Sequence, residues 1–293
     1  MDDLKSKVAV ITGGASGIGL AMARSFGAEG MRLVLADIQQ DALDGAVEAL
    51  QAAGIETIGV RTDVADYASV EALAQTTQAK FGNAHVLVNN AGVSITGPLW
   101  ELSLDDWRWV HDVNVWGIIH GIKAFVPGMI AHGEPSHVIN TASLAAFSGT
   151  GEHSPYCSSK AAALSISQSL YSELKSWNTK IGVSVVCPGM VDTMIHKSGR
   201  NRPAADQPWS DREWNDPSHV RGSEVFQGRG ISADAIACDT LEALKSDRFY
   251  VFSGSFWPDM MRRQAEVLSV GANPPVVTWG ADLRPKQATP ELG

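Results

Sequence analysis

Two groupings of residues in this chain have the types and spacing needed for chemistry on a small ligand. The first is Thr12-Gly13-Gly14-Ala15-Ser16-Gly17-Ile18-Gly19, a glycine-rich turn that follows an apolar run and opens into a helical pattern. Glycines let the backbone turn tightly and approach phosphates, while free N–H groups and the dipole at a helix start favour negative charge. A nucleotide diphosphate fits such a cradle. Asp37-Ile38 closes the next apolar run, 18 residues after Gly19 (37 − 19), where a carboxylate accepts hydrogen bonds from an adenosine ribose. A ribose 2′-phosphate would meet like charge there, and no Arg or Lys sits in the glycine turn or directly after Asp37. NAD is therefore expected over NADP. A helix N-cap is the competing role for Asp37, but it leaves the turn upstream unexplained. Asp63-Val64 and Asn89-Asn90-Ala91-Gly92 follow two further apolar runs. Each alone is ordinary turn chemistry, yet both fall at strand carboxyl ends, where open α/β sheets bind ligands.

The second grouping is Tyr156 with Lys160, one helical turn apart on the same face. A free tyrosine, with a pKa of about 10, is too weak an acid to move protons near neutrality unaided. A neighbouring ammonium stabilises its phenolate, so Lys160 is expected to lower that pKa. A second pair of the same spacing, Tyr171 and Lys175, lies 15 residues further on (171 − 156), about 22 Å along one helix. It cannot share a site with Tyr156 and reads as packing and solvated surface. Ser143 precedes Tyr156 by 13 residues (156 − 143) at the end of a strand, from which its hydroxyl can donate to a substrate oxygen. Ser148 and Ser154 compete by proximity but lie in the connecting loop.

These residues have to be positioned by regular elements. Short apolar runs alternate with helical periodicity, the pattern of βαβ units around a parallel sheet. Strands are expected at Val8–Thr12, Arg32–Ala36, Thr57–Arg61, Val86–Asn89, His137–Thr141, Gly182–Cys187 and Arg248–Phe252. Helices are expected over Gly17–Glu29, Gln39–Ala53, Tyr67–Phe81, Leu104–Ala131, Pro155–Trp177 and Ser232–Ser246. The sequence therefore predicts an α/β fold: one Rossmann-type, doubly wound domain over residues 1–255, with seven parallel strands and helices on both faces. Residues 194–230 are too long for a connector and read as a lid or substrate-binding loop. Residues 256–293 form an extension expected to pack on that lid or on a partner subunit.

Taken together, the TGxxxGIG turn, Asp63, Asn89-Asn90-Ala91-Gly92, Asn114, Ser143, Tyr156-Cys157-Ser158-Ser159-Lys160 and Pro188-Gly189 resemble the short-chain dehydrogenase/reductase family in its main single-domain branch. The resemblance is close over residues 5–193 and looser over Ser232–Ser255. It implies hydride transfer between an alcohol or ketone and a nicotinamide dinucleotide, with Tyr156 as acid and base. It further implies that Lys160 bonds the nicotinamide ribose and that Asn114 supports a proton relay. Pro188, Gly189, Val191 and Thr193 would lie along the nicotinamide. A homotetramer or homodimer is implied, and no metal.

Substrate specificity would rest on the lid and tail. Met194, Trp209, Trp214 and Trp257 favour a bulky apolar or aromatic alcohol, while His196, Arg200 and Arg202 leave room for a polar or acidic group. Residues His120–Gly149 and the tail are somewhat similar to family members that oxidise benzylic alcohols. Two alternatives remain open: a non-catalytic NAD-binding sensor, which would have no need of Tyr156, and a Rossmann methyltransferase, which would not use Ser143, Tyr156 and Lys160.

Composition narrows the partners. Among 293 residues, 23 Lys and Arg against 32 Asp and Glu give a net charge of −9, without a basic run. Nucleic acid and anionic membrane are disfavoured. Three cysteines, Cys157, Cys187 and Cys238, make no disulfide framework, and Cys157 is expected to pack. His111, His120, His132 and His137 lack metal-ligand spacing. Trp107, Trp109 and Trp116 are expected to pack on one helix. The start Met1-Asp2-Asp3-Leu4 lacks a signal-peptide pattern and no apolar run approaches a membrane span, so a cytoplasmic enzyme is expected.

Overall fold

The structure is a computed structural model, and it describes residues 1, 3–203, 230–254 and 257–276. Seven strands form one parallel sheet: β1 (Val8–Thr12), β2 (Arg32–Asp37), β3 (Thr57–Arg61), β4 (Val86–Asn89), β5 (Ser136–Thr141), β6 (Ile181–Cys187) and β7 (Tyr250–Phe252). Their order is β3-β2-β1-β4-β5-β6-β7. The chain reverses its direction of growth between β1 and β4, and the crevice at that switch point is where doubly wound sheets take ligands.

The strands are apolar and β-branched because both faces are covered. On one face Ala9, Ile11, Leu33 and Leu35 pack under α1 (Gly17–Ala28), α2 (Gln40–Ala52) and α7 (Ala233–Ser246). On the other, Val8, Val10, Val34 and Leu87 pack under α3 (Tyr67–Phe81), α5 (Gly117–His132) and α6 (Ser154–Ser176). Full burial of side chains such as Phe26, Met22 and Ile11 contributes about 1.5–3 kcal/mol each. The single Rossmann-type domain expected from the sequence is the fold observed.

Two elements differ from expectation by more than a residue at an end. The continuous helix predicted over Leu104–Ala131 is α4 (Leu104–His111), a π-helical turn (Asp112–Trp116) and then α5. An apolar pattern cannot reveal one extra residue in a turn, and such wide turns recur at functional sites. Beyond it Trp116 does not pack as expected: it is 51% exposed, beside His120. The strand predicted from Arg248 starts at Tyr250, because Asp247 adopts φ 52° and Arg248 N donates to Ala243 O, ending α7. A 3₁₀ helix spans Met194–Asn201, and an amphipathic helix α8 spans Trp257–Ser269. Trp209 and Trp214 lie outside the described residues.

One window within Leu104–His132 has a mean hydropathy of 1.3. Ile118, Phe125, Val126 and Met129 explain it, since they face the core from α5.

Candidate active site

The glycine turn is shaped by close approach of backbone to backbone. Gly13 has φ +61°, and a Cβ there would meet Ala91 Cα at 2.9 Å. Gly19 is tighter still: a Cβ would lie 2.2 Å from Gly13 O and 2.6 Å from Asn90 Nδ2. Asn90 holds the turn, donating from Nδ2 to Thr12 O at 3.1 Å and Gly13 O at 3.3 Å. Thr12 Oγ1 accepts from Asn90 N and Ala91 N and donates to Val88 O. Asn90 thus serves mainly by bracing. Thr12 was not singled out by sequence, although its position at the strand end, opening the turn, is the signal.

Asp37 ends β2 beside this cradle. Its carboxylate accepts from Ala15 N at 3.2 Å and Gln39 N at 3.1 Å, so it is tied to the turn and keeps lone pairs for a ligand. Asp63 Oδ1 accepts from Ala65 N at 3.0 Å, shaping the loop after β3. His120 Nδ1 donates to Val64 O at 2.9 Å and fixes the residue that follows.

Tyr156 enters from the first turn of α6, just after Pro155, and Lys160 from the next turn. Lys160 Nζ stands 5.6 Å from the Tyr156 ring centroid and donates to Thr141 O at 2.9 Å. Burial pushes the Tyr156 phenol up to about 12, opposed by the neighbouring Ser143 hydroxyl. This reverses the expected direction. Lys160 aims a proton at the end of β5 instead of at the phenol oxygen, and burial brings its own pKa down to about 8. Ser143 Oγ donates to Pro188 O at a long 3.3 Å and accepts from Ala145 N at 3.1 Å.

Asn114 occupies the π-helical turn and is fully buried. Its Oδ1 accepts from Val93 N at 2.8 Å, and its Nδ2 donates to Val93 O and to Ser159 Oγ, both at 2.9 Å. Ser159 Oγ in turn donates to Tyr156 O at 2.7 Å. Asn114 therefore braces the Tyr156 helix through Ser159, a residue the sequence reading passed over. A Cβ on Gly92 would lie 3.4 Å from both Asn114 Oδ1 and Lys160 Nζ.

Every expected cofactor contact except Gly19 lines one cavity of about 750 Å³. Of the catalytic candidates, Tyr156 and Lys160 line it; Ser143 and Asn114 do not, but each hydrogen-bonds a residue that does, Pro188 and Val93 respectively. Thr193 lies over the glycine turn, its Cγ2 3.3 Å from where a Gly17 Cβ would be. The cradle, the Asp37 carboxylate beside it and a cavity of this volume fit a dinucleotide. The second pair is elsewhere, as expected: Lys175 bonds Asp247 at 2.9 Å, and Tyr171 packs edge-on to Phe249.

At the substrate end, sequence gave no sign of the partner of Arg202. Its guanidinium pairs with Asp106 on α4 and lies over the Trp109 ring, both partners of the pair almost wholly buried. Asp106 also accepts from Ser103 N in a capping box. The chain just after the 3₁₀ helix is thus pinned to α4 at Arg202. Among the described residues no group of three metal-ligating side chains occurs.

A model of the short chain dehydrogenase family matches residues 7–204. The chain belongs to this family. As a short-chain dehydrogenase it is 39% identical, over 254 residues and 86% of each chain, to 1-deoxy-11-beta-hydroxypentalenate dehydrogenase of Streptomyces avermitilis. It is 38% identical over 205 residues to C alpha-dehydrogenase of a Sphingobium species, covering 70% of this chain and 67% of the relative. A short-chain dehydrogenase/reductase from Burkholderia phymatum, solved in complex with NAD, superposes with a TM-score of 0.88 at 39% identity, covering 94% of this chain and 98% of that one.

Proposed function

We propose that this short-chain dehydrogenase interconverts a bulky apolar secondary alcohol and its ketone, with NAD as preferred cofactor. The observation that carries the reading is a single cavity with Asp37 at one end and Tyr156 and Lys160 at the other. Asp37 suits the two ribose hydroxyls and repels a 2′-phosphate. Two relatives named as dehydrogenases and an NAD-bound neighbour support the direction of the reading.

A bound dinucleotide supplies the hydride acceptor at its nicotinamide. The chain supplies everything that handles the proton. In oxidation Tyr156 Oη receives the hydroxyl proton, and in reduction it returns one. Ser143 Oγ, whose bond to Pro188 O is long, rotates to donate to the substrate oxygen as charge develops there. Lys160 spends one N–H on Thr141 O and keeps two for the ribose side of the cavity. Gly92 keeps Asn114 Oδ1 and Lys160 Nζ unseparated by any side chain, which leaves a path for a proton relay. Val93, Trp109, Val113, Met194 and Ile195 line the cavity and favour an apolar substrate.

The test is a 340 nm screen of aromatic, aliphatic, steroid and sugar alcohols with NAD and NADP run separately. Turnover with NAD on apolar secondary alcohols is expected. Turnover confined to NADP would overturn the cofactor assignment, and NAD binding with silence across the panel would favour the non-catalytic sensor.

A further inference from the structure

The lid carries a cation to the adenosine end of the cavity. Arg200, 161 residues from Gln39 in sequence, donates from Nε to Gln39 Oε1 at 3.2 Å. Its Nη1 is anchored on its own 3₁₀ helix, donating to Met194 O at 3.1 Å and Lys197 O at 2.7 Å. Those three contacts fix the guanidinium plane, and Nη2 is left as the edge with no hydrogen bond to another described residue. Arg200, Gln39, Ile38 and Asp37 line the same cavity. Burial lowers the guanidinium's pKa, and the Asp37 carboxylate is near enough to pull it back up, although the two make no ion pair.

This placement changes the charge seen by a cofactor. Asp37 alone presents −1 to the ribose; with Arg200 the local sum is zero. A phosphate monoester carries about −1.5 to −2 at neutral pH, so a compensating guanidinium decides whether it is tolerated. Arginine is the side chain best matched to phosphate, because its planar fork offers paired donors.

We propose that Arg200 is a cofactor-specificity residue whose Nη2 edge receives the 2′-phosphate of NADP, so that the enzyme uses NADP as a second cofactor. The proposal rests on the dinucleotide reading above. Asp37 makes NAD the better cofactor, and Arg200 sets how large the difference is. It acts from the lid, so it can be removed without touching the glycine turn or Tyr156.

The experiment measures kcat/KM and direct binding for NAD and NADP with the parent, Arg200→Ala, Asp37→Ala and the double variant. The parent should use both cofactors, with NAD preferred. Arg200→Ala should lower the efficiency with NADP at least tenfold more than that with NAD, and NADP binding should lose its dependence on salt. Asp37→Ala should turn the preference towards NADP, and the double variant should give that gain back. A parent that neither binds nor uses NADP overturns the proposal. So does an Arg200→Ala variant that weakens both cofactors equally, or one that raises only the alcohol KM, since either would make Arg200 a lid anchor. If neither dinucleotide binds the parent, the dinucleotide reading itself fails, a result distinct from the others.

Discussion

At the residue scale, the site combines groups whose chemistry depends on what surrounds them. Tyr156 is held as a neutral phenol by burial, up to about 12, while Lys160 is brought down to about 8. Oxidation needs the phenolate, so kcat/KM for the alcohol should climb as pH rises from 6 to 9; reduction needs the phenol and should stay level over the same range. A pH-rate profile in both directions checks this, and an oxidation rate that is flat with pH contradicts the role of Tyr156. The glycine turn permits a sharper test. In Gly19→Ala the new methyl would strike Gly13 O, a backbone atom held by Asn90. Dinucleotide affinity measured by fluorescence titration should fall by about tenfold or more, since backbone approach to the diphosphate is lost. Unchanged affinity would refute the packing described. These residues were legible in the sequence because their meaning is local: glycines in a turn, tyrosine and lysine one helical turn apart. Arg202 with Asp106, and Arg200 with Gln39, were not legible as pairs, since 96 and 161 residues separate the partners.

At the scale of elements, buried polar pairs tie strands and helices together. His137 of β5 donates from Nε2 to Ser184 of β6 at 2.8 Å, and Ser184 Oγ donates to Arg248 O just before β7 at 2.6 Å. Burial holds His137 at about 4, against an ordinary value of 6.5. The unfolded chain therefore takes up this proton first as pH falls. Stability is full above about pH 6.5 and declines towards pH 4, by about 3 kcal/mol from this one group. Chemical denaturation of the parent and of His137→Gln at several pH values measures it. His85 and His111 are also lowered by burial and share the window, so the difference between the two proteins isolates His137. Equal slopes would contradict the assignment. The ion pair between Arg202 and Asp106 pins the chain just after the 3₁₀ helix to α4. Arg202→Met leaves a buried carboxylate unpaired and should cost about 3–5 kcal/mol, read as a lowered denaturation midpoint. The strands and most helices were legible from apolar periodicity. The π-helical turn was not, because its cause is Asn114 reaching sideways to Val93 and Ser159, contacts that no period records.

At the scale of the whole molecule, seven strands bring the cradle, Asp37 and the Tyr156 helix to one edge of the sheet. That edge was predictable, since every strand ends there in a polar residue or turn. The approach of Arg202 to α4 was not, since 96 residues separate it from Asp106. A homodimer or homotetramer is expected, and Trp100 and Leu104, 82% and 71% exposed beside α4, suit a contact between copies. Native mass spectrometry should return a two- or fourfold multiple of the 31.2 kDa chain; a monomer at micromolar concentration would contradict it. Tyr156 is expected to move the proton while the rest of the cavity binds the cofactor. The most direct test is Tyr156→Phe, with NAD affinity and alcohol turnover measured on the same preparation. Affinity within about threefold of the parent and turnover lower by about 10²–10⁴ is the expected result. Turnover that survives the substitution would place the acid and base on another residue.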